Sequence, residues 1–332
     1  MRDAAGSIRA ARLTDRQALV ALSRQVHDAS EGFRRSLGVP ARSAAVPRIS
    51  LAALMPSWLP LRSPSVHMVA EWEGELVGSC RAIEEPHRDD WVITELDAAD
   101  SPMAGEVRFA LLRAVIEEGA QRNVARYHAA CADVPENMEL FGQLSFMAYA
   151  QEEIWYRPPG KVAGGKGGEK DLLPAGSADA WHLFDLWTHT TPPAIARIEA
   201  YGANDWEAVG HEGVVPRSSL NPLLRFTEVN AWLLPEKERV SGFAQHGASR
   251  AGPHYLRFLV RDGADGAAFL AGVLTAAGTD ALAAGILAPV RTYESTGRQA
   301  AEATGFEAVG QVSMLVREVR ASVRQPAMVP AV

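Results

Sequence analysis

The amino-acid sequence predicts an α/β (α+β mixed) fold built as two similar domains. Three observations lead there. Strand-like and helix-like hydrophobic periods alternate along the whole chain. The closing pattern occurs twice: residues 134–157 run from Val134-Pro-Glu-Asn through Leu140-Phe141-Gly-Gln-Leu-Ser145-Phe146 to Gln151-Glu-Glu-Ile-Trp-Tyr-Arg157, and residues 292–318 run from Thr292-Tyr-Glu through Thr304-Gly305-Phe306 to Gln311-Val-Ser-Met-Leu-Val-Arg317. Each is a short helix, a small residue before Phe, a turn and a β-rich strand ending in Arg. Between the copies lies Pro158-Pro-Gly-Lys-Val-Ala-Gly-Gly-Lys-Gly-Gly-Glu-Lys170, rich in Gly and Lys without an apolar period, which reads as a flexible linker.

The first half, 1–157, opens with a strand at Ile8–Arg12. Thr14 and Gln17 have capping-box spacing, so a helix is predicted from about Asp15 to Asp28. The Pro- and Arg-bearing stretch through Pro40, Pro47, Pro56, Pro60 and Pro64 reads as helix pieces and loops. Val66–Trp72 and Leu76–Ile83 are strands joined at Glu73-Gly74-Glu75, a hairpin signal. Trp91–Leu96 is the next strand. Val107, Leu111, Leu112 and Val115 share one side of a helix over about Gly105–Gln121. A strand at Ala125–Cys131 precedes the recurring tail.

The second half, 171–319, repeats this order with a worn start. Leu172-Leu173 reads as a first strand, Ala178–Trp187 and Pro192–Tyr201 as helices. Val229–Leu234 and Val240–His246 pair around Pro235-Glu-Lys-Glu-Arg239, and Tyr255–Val260 follows. Ala267–Val290 is almost wholly apolar. A membrane span would suit its length, but Gly278-Thr-Asp280 interrupts it, so a buried helix, a turn and a buried strand at about 285–290 are predicted instead. Residues 320–332 read as a disordered tail.

A chain of 332 residues fits about two domains. Its 47% hydrophobic and 22% charged residues are ordinary for a globular protein, and a net charge of -7 argues against a partner gripped by its phosphate backbone. Cys80 and Cys131 form no CxxC pair, and the start has no apolar signal core; both predict a cytoplasmic protein without disulfides. Walker, HExxH and nucleophile-elbow patterns are absent.

With the elements in order, the residues resemble the GNAT superfamily of acyl-CoA-dependent N-acyltransferases. The marks are Val69-Ala-Glu-Trp-Glu-Gly-Glu-Leu-Val-Gly78, the strand ending in Glu95-Leu96, the helix carrying Leu111-Leu112, Leu140–Phe146, and in the second half Tyr255–Val260, the helix from Gly266 and Thr304-Gly305-Phe306. The resemblance implies two GNAT-like domains in tandem, each with a mixed, mostly antiparallel sheet flanked by helices. It also implies acetyl-CoA as co-substrate, no metal, and a small-molecule amine as acceptor, with no nucleic-acid or membrane partner and a monomer or homodimer.

The family's pyrophosphate cradle uses helix N-terminal N–H groups and close-approaching glycines. Counted back from Leu111-Leu112, its six positions fall on Met103-Ala-Gly-Glu-Val-Arg108. Met103 stands at the basic or amide position, Glu106 at the first glycine and Arg108 at the last small position. A carboxylate about 5 Å from a phosphate charge costs about 3 kcal/mol at an effective dielectric of 20, unless Glu106 points away or Arg108 pairs with the phosphate. The same Glu106 also suits a plain helix start, where the dipole favours it. Leu96, Gly105, Glu106, Val107 and Arg108 are the candidate cofactor residues. The second-half counterpart, Asp265-Gly-Ala-Ala-Phe-Leu270, departs further; its Gly263-Ala-Asp-Gly266 turn either binds an anion or is an ordinary loop.

Aminolysis of a thioester needs a base for the amine, and an acid helps the thiolate leave. Glu95 is the candidate base, with Glu71 second. The Tyr that serves as acid in many relatives falls on Phe141 and Ala301, neither of which can donate a proton. Tyr149 is the candidate acid, with Tyr156 beside it; both also read as packing aromatics. His246 and His254 stand at strand ends. His182, Asp185 and His189 share a helical face that fits either a metal or simple packing. Acceptor choice falls to the loops at 30–65 and 200–225. Two functions remain open: N-acetyl transfer by the first domain, or a non-catalytic protein that binds acyl-CoA or a small metabolite or serves as a scaffold.

Overall fold

The computed structural model describes residues 6–22, 65–85, 88–160, 171–207, 209, 216–220, 226–249 and 252–319. The first-half strands are β1 (Ser7–Ala10), β2 (Ser65–Trp72), β3 (Glu75–Glu84), β4 (Asp90–Ala98), β5 (Arg126–Ala132) and β6 (Met147–Arg157). Its helices are α1 (16–22), α2 (Ala104–Gln121) and α3 (Pro135–Gln143). The second half has β7 (Leu173–Pro174), β8 (Phe226–Glu236), β9 (Arg239–Ser249), β10 (His254–Val260), β11 (Ile286–Arg291) and β12 (Glu307–Glu318). Its helices are α4 (Ala180–Thr190), α5 (Pro193–Glu199), α6 (Gly266–Ala276), α7 (Gly278–Ala284) and α8 (Ser295–Ala303). Each predicted strand and helix within the described residues has a counterpart here. The pieces expected over 30–65, residues 161–170 of the linker, and the tail at 320–332 lie outside the described residues.

These strands form one twelve-stranded sheet in the order β1-β2-β3-β4-β5-β12-β6-β11-β10-β9-β8-β7. Pairing is antiparallel except at β4–β5 and β10–β11. The two halves exchange their closing strands. β12 lies between β5 and β6, and β6 lies between β12 and β11. Neither half has a second closing strand of its own after its short helix, so each covers the other's open edge.

Local chemistry explains the elements. Glu73 and Gly74 both take positive φ, the twist a two-residue hairpin needs between Trp72 and Glu75. Asp15, rather than Thr14, caps the first helical turn: its carboxylate accepts the Arg12 N–H at 2.6 Å and two bonds from Arg9. α2 lies on β3 because Gly78 has no side chain; a Cβ there would meet Val107 Cγ1 at 2.6 Å. Its apolar stripe, Val107, Leu111, Leu112 and Val115, is buried against Ala70, Cys80 and Tyr127. In the second half, Phe269, Leu270, Val273 and Leu274 of α6 pack on Leu256 and Phe258.

The stretch Gly278-Thr-Asp280 is not a plain turn. It begins the helix α7, which leaves α6 at a bend of 103°. Gly278 at φ +86 makes that corner. Among the described residues no single helix is long and apolar enough to cross a membrane.

Candidate functional site

β4 and β5 run parallel and pair at Asp90↔Arg126, Trp91↔Tyr127 and Val92↔His128, and at no later position. Register explains the parting. On its other edge β4 carries a bulge at Thr94, where pairing with β3 skips from Arg81↔Glu95 to Ala82↔Ile93. A bulge bends the strand that bears it. β5 meanwhile continues straight along β12 to Ala132↔Val312. The fork opens into a cleft of about 220 Å³. Glu95 and Leu96 line one wall, Ala130 the other, and Arg108, Asn137 and Phe141 the remainder.

α2 meets this cleft at Arg108, one turn in from its N-terminus. Met103 offers no side-chain cap. Ala104 N–H goes to Ser101 O and Val107 N–H to Met103 O, which leaves the first-turn donors of Gly105 and Glu106 between them. A Cβ on Gly105 would meet nothing within 4 Å, and both Gly105 and Glu106 are exposed. Val107 is instead a core residue at 3% exposure. Arg108 lines the cleft with its Nε buried and unpartnered, a costly arrangement for a guanidinium unless an anion completes it.

The second half repeats the fork with its helix packed closely: a Cβ on Gly266 would meet Ala300 Cβ at 3.1 Å, where one on Gly105 meets nothing within 4 Å. β10 and β11 pair at His254↔Ile286 and Tyr255↔Leu287. Counting from Val273-Leu274 against Leu111-Leu112, Leu270 takes the place of Arg108 and Arg257 that of Glu95. Leu270, Phe258, Ala300 and Ala301 are buried together in one cluster. Arg257 is fully buried on Glu294 through two bonds, at 3.0 and 2.5 Å. Asp265 caps its own helix, accepting Ala268 N–H at 3.0 Å, and so holds the position an anion would need.

Around Glu95 the sheet face is polar. Glu95 is 42% exposed and faces Arg81 at 3.5 Å. Asp97, two residues on and half-buried, has its pKa pushed up to about 6, by burial first and by Glu95 second. His67, opposite Arg81 in register, is held below its usual range by burial. Glu71 is paired with Arg9 at 2.9 Å.

Beyond the fork a second cavity, of about 40 Å³, shares Ile93, Thr94, Ala129 and Ala130 with the larger cleft. His128, Ser218 and Met314 also line it. Segment 216–220 of the second half thus reaches the centre of the first. Arg217, fully buried, pairs with both oxygens of Glu85, and its Nη1 donates to His128 Nδ1 at 3.1 Å. Because an Arg always donates, a neutral His128 carries its proton on Nε2, which faces Asp90 Oδ2 at 3.5 Å. Burial, then the Arg217 charge, lowers the His128 pKa to about 4. Burial opposes ionisation of Asp90, but His128 and Arg126 outweigh it and bring its pKa to about 2.

Tyr149 belongs to this seam and does not line either cavity. Its hydroxyl donates to Glu199 Oε1 at 3.3 Å, and its ring lies edge-on to His128. Burial, then Glu199, pushes its pKa up to about 12. Arg291 closes the network, bonding Glu199 at 2.9 Å and facing Glu152, its register partner on β6, at 3.1 Å.

Of the sequence-predicted residues, the cleft gathers Glu95, Leu96 and Arg108, with Gly105 and Glu106 on the adjoining helical turn. His246 and His254 bond each other at 2.9 Å. Asp185 is held by Arg261 and His189, and no group of three metal-ligating side chains occurs among the described residues. Arg217, Arg291, Glu199 and His128 escaped sequence reasoning. Their only signal is charge inside otherwise ordinary segments.

No family model and no curated protein matches the chain. Solved structures do match its fold. One is a tandem GNAT protein from the clavulanic acid biosynthesis pathway, 12% identical, with 94% of this chain and 98% of that chain covered at a TM-score of 0.54. Another is a GCN5-related N-acetyltransferase from Sphaerobacter thermophilus, also 12% identical, with 94% and 95% covered at 0.52. The chain has the tandem GNAT fold.

Proposed function

We propose that this chain is an acyl-CoA-dependent N-acyltransferase that moves an acetyl group to the amine of a small molecule, with its site in the first half. One observation carries the reading: of two forks built on the same plan, the first opens on a cleft beside an uncapped helix N-terminus, and the second is filled. In this reading 1–157 and 171–319 are two copies of one unit, divided at 158–170, and the second copy has given up its own cleft.

The residues suit the co-substrate. The N–H groups of Gly105 and Glu106 and the spare Arg108 Nε–H are donors for a pyrophosphate. Glu106, exposed on the helix, is free to turn its carboxylate to solvent. The β4 edge from Ile93 to Leu96 has lost its β5 partner, so its main chain can bond an extended pantetheine arm. Acetyl-CoA would supply the activated thioester. Glu95 then receives the proton of the attacking amine, directly or through water. Asp97 beside it makes this face acidic and favours an amine that arrives as a cation. The thiolate leaves readily near neutral pH without full protonation, so Phe141 in the acid's place does not forbid turnover. His128 lines the inner wall, and Tyr149 packs edge-on behind it.

The test is Glu95→Gln. Turnover should fall by at least about 100-fold, as for loss of a general base, while acetyl-CoA affinity stays within about twofold. Unchanged turnover would remove Glu95 from the mechanism. Phe141 and Glu106 favour a second reading, an acyl-CoA-binding protein without turnover. Tight acetyl-CoA binding with no product across a screen of cationic amines would support that one. A cytoplasmic location, a monomer or homodimer, and no nucleic-acid or membrane partner complete the proposal.

A further inference from the structure

The 40 Å³ cavity lies at the closed end of the first-half fork, next to the cleft, with Ile93, Thr94, Ala129 and Ala130 lining both. A thioester whose arm follows the cleft from α2 inward would carry its acyl group into this space. The proposal rests on that use of the cleft. The far walls come from the second half: Ser218 and Ser219, and Met314 on β12, which is paired with Ala130.

These walls are braced. Ser219 donates its N–H to Glu152 at 2.8 Å and its hydroxyl to the same oxygen at 2.5 Å. Ser218 and Tyr255 share a bond at 2.8 Å, and Arg291 donates to the Arg217 carbonyl at 2.8 Å. Met314 is only 2% exposed. A water needs roughly 10–15 Å³ of such volume, so the cavity takes about three water-sized groups. Acetyl and propionyl fit, and a six-carbon chain does not. Among the described residues the arginine at the wall, Arg217, is spent on Glu85 and His128, so a terminal carboxylate on the acyl group would find no partner.

We infer that the small cavity is the acyl pocket of the first-half site, and that the second half acts there as a ruler which admits short, uncharged acyl groups. The second copy would then keep a function after losing its own cleft.

The test is calorimetric titration of CoA, acetyl-CoA, butyryl-CoA, succinyl-CoA and hexanoyl-CoA into the full chain. Two variants accompany it: Met314→Ala to lengthen the pocket and Ala130→Val to shorten it. CoA and acetyl-CoA should bind alike, with hexanoyl-CoA about tenfold or more weaker and succinyl-CoA weaker than butyryl-CoA. Met314→Ala should recover hexanoyl-CoA binding about tenfold, and Ala130→Val should weaken acetyl-CoA relative to CoA. Should Met314→Ala fail to fold, the wild-type series and Ala130→Val still decide. Affinity independent of acyl length, or unaltered by Ala130→Val, would overturn the ruler and leave the cleft. Failure of CoA itself to bind would overturn both.

Discussion

Arg108 and Leu270 hold corresponding positions in the two halves, and the contrast between them separates a cleft from a core. Arg108 spends a buried, unpartnered Nε on a cleft, whereas Leu270 is sealed at 0% exposure. Replacing Arg108 by Ala should weaken acetyl-CoA binding about 10- to 100-fold, the value of a hydrogen bond to a charged group. Thermal stability should not fall and should rise slightly, since the change removes a buried donor that is unpartnered in the free protein. Asp265→Ala should do the reverse. It removes a helix cap and costs about 1 kcal/mol of stability in denaturant titration, with acetyl-CoA affinity unaltered. Glu95 and Arg108 were legible in the sequence because each stands at a countable distance from a periodic helix or strand. The buried charges were not. The guanidinium bonds of Arg217 and Arg291 reach partners more than seventy residues away, which no local pattern displays.

At the level of elements, the 3.6-residue period of α2 and the two-residue period of β2 and β3 were readable because one face of each is buried and the other is wet. α7 hid inside an apolar run in which only Thr279 and Asp280 of its exposed positions are polar, too few to set a period, so only Gly278 marked the corner. The fork between β4 and β5 was equally hidden. A bulge at Thr94 and small residues at Ala129 and Ala130 create it, and neither departs from an ordinary strand. The fork's chemistry should show in pH dependence. Asp97, raised to about 6, is a carboxyl that the fold prefers protonated. Its folded pKa lies above its unfolded one, so it costs stability increasingly as pH rises from 3.8 to 6 and above. Asp97→Asn should therefore raise the melting temperature at pH 8 and change it little at pH 3.5. An equal shift at both pH values would mean that Asp97 is not strained by its charge.

For the whole molecule, the exchange of closing strands predicts one cooperative unfolding transition rather than two. The sequence showed the repeat and its dividing stretch. It could not show that β12 returns to lie between β5 and β6, because strand order depends on edges left open elsewhere. The seam buries its charges in pairs, and breaking it should be severe. Arg291→Met leaves Glu152 and Glu199 uncompensated and should cost about 3–5 kcal/mol. His128 and Asp90, both held below their unfolded pKa values, act together in acid. Unfolded chains take up those protons first, so stability is full above pH 6.5. It should fall as pH drops toward 4 through His128, and again between 3.8 and 2 through Asp90.

One working cleft beside one filled copy is the central claim, and titration of acetyl-CoA into the full chain tests it most directly. A single site per chain is expected, with affinity lost in Arg108→Glu and kept in Asp265→Ala. Two equal sites, or a site that survives Arg108→Glu and disappears with Asp265→Ala, would contradict it.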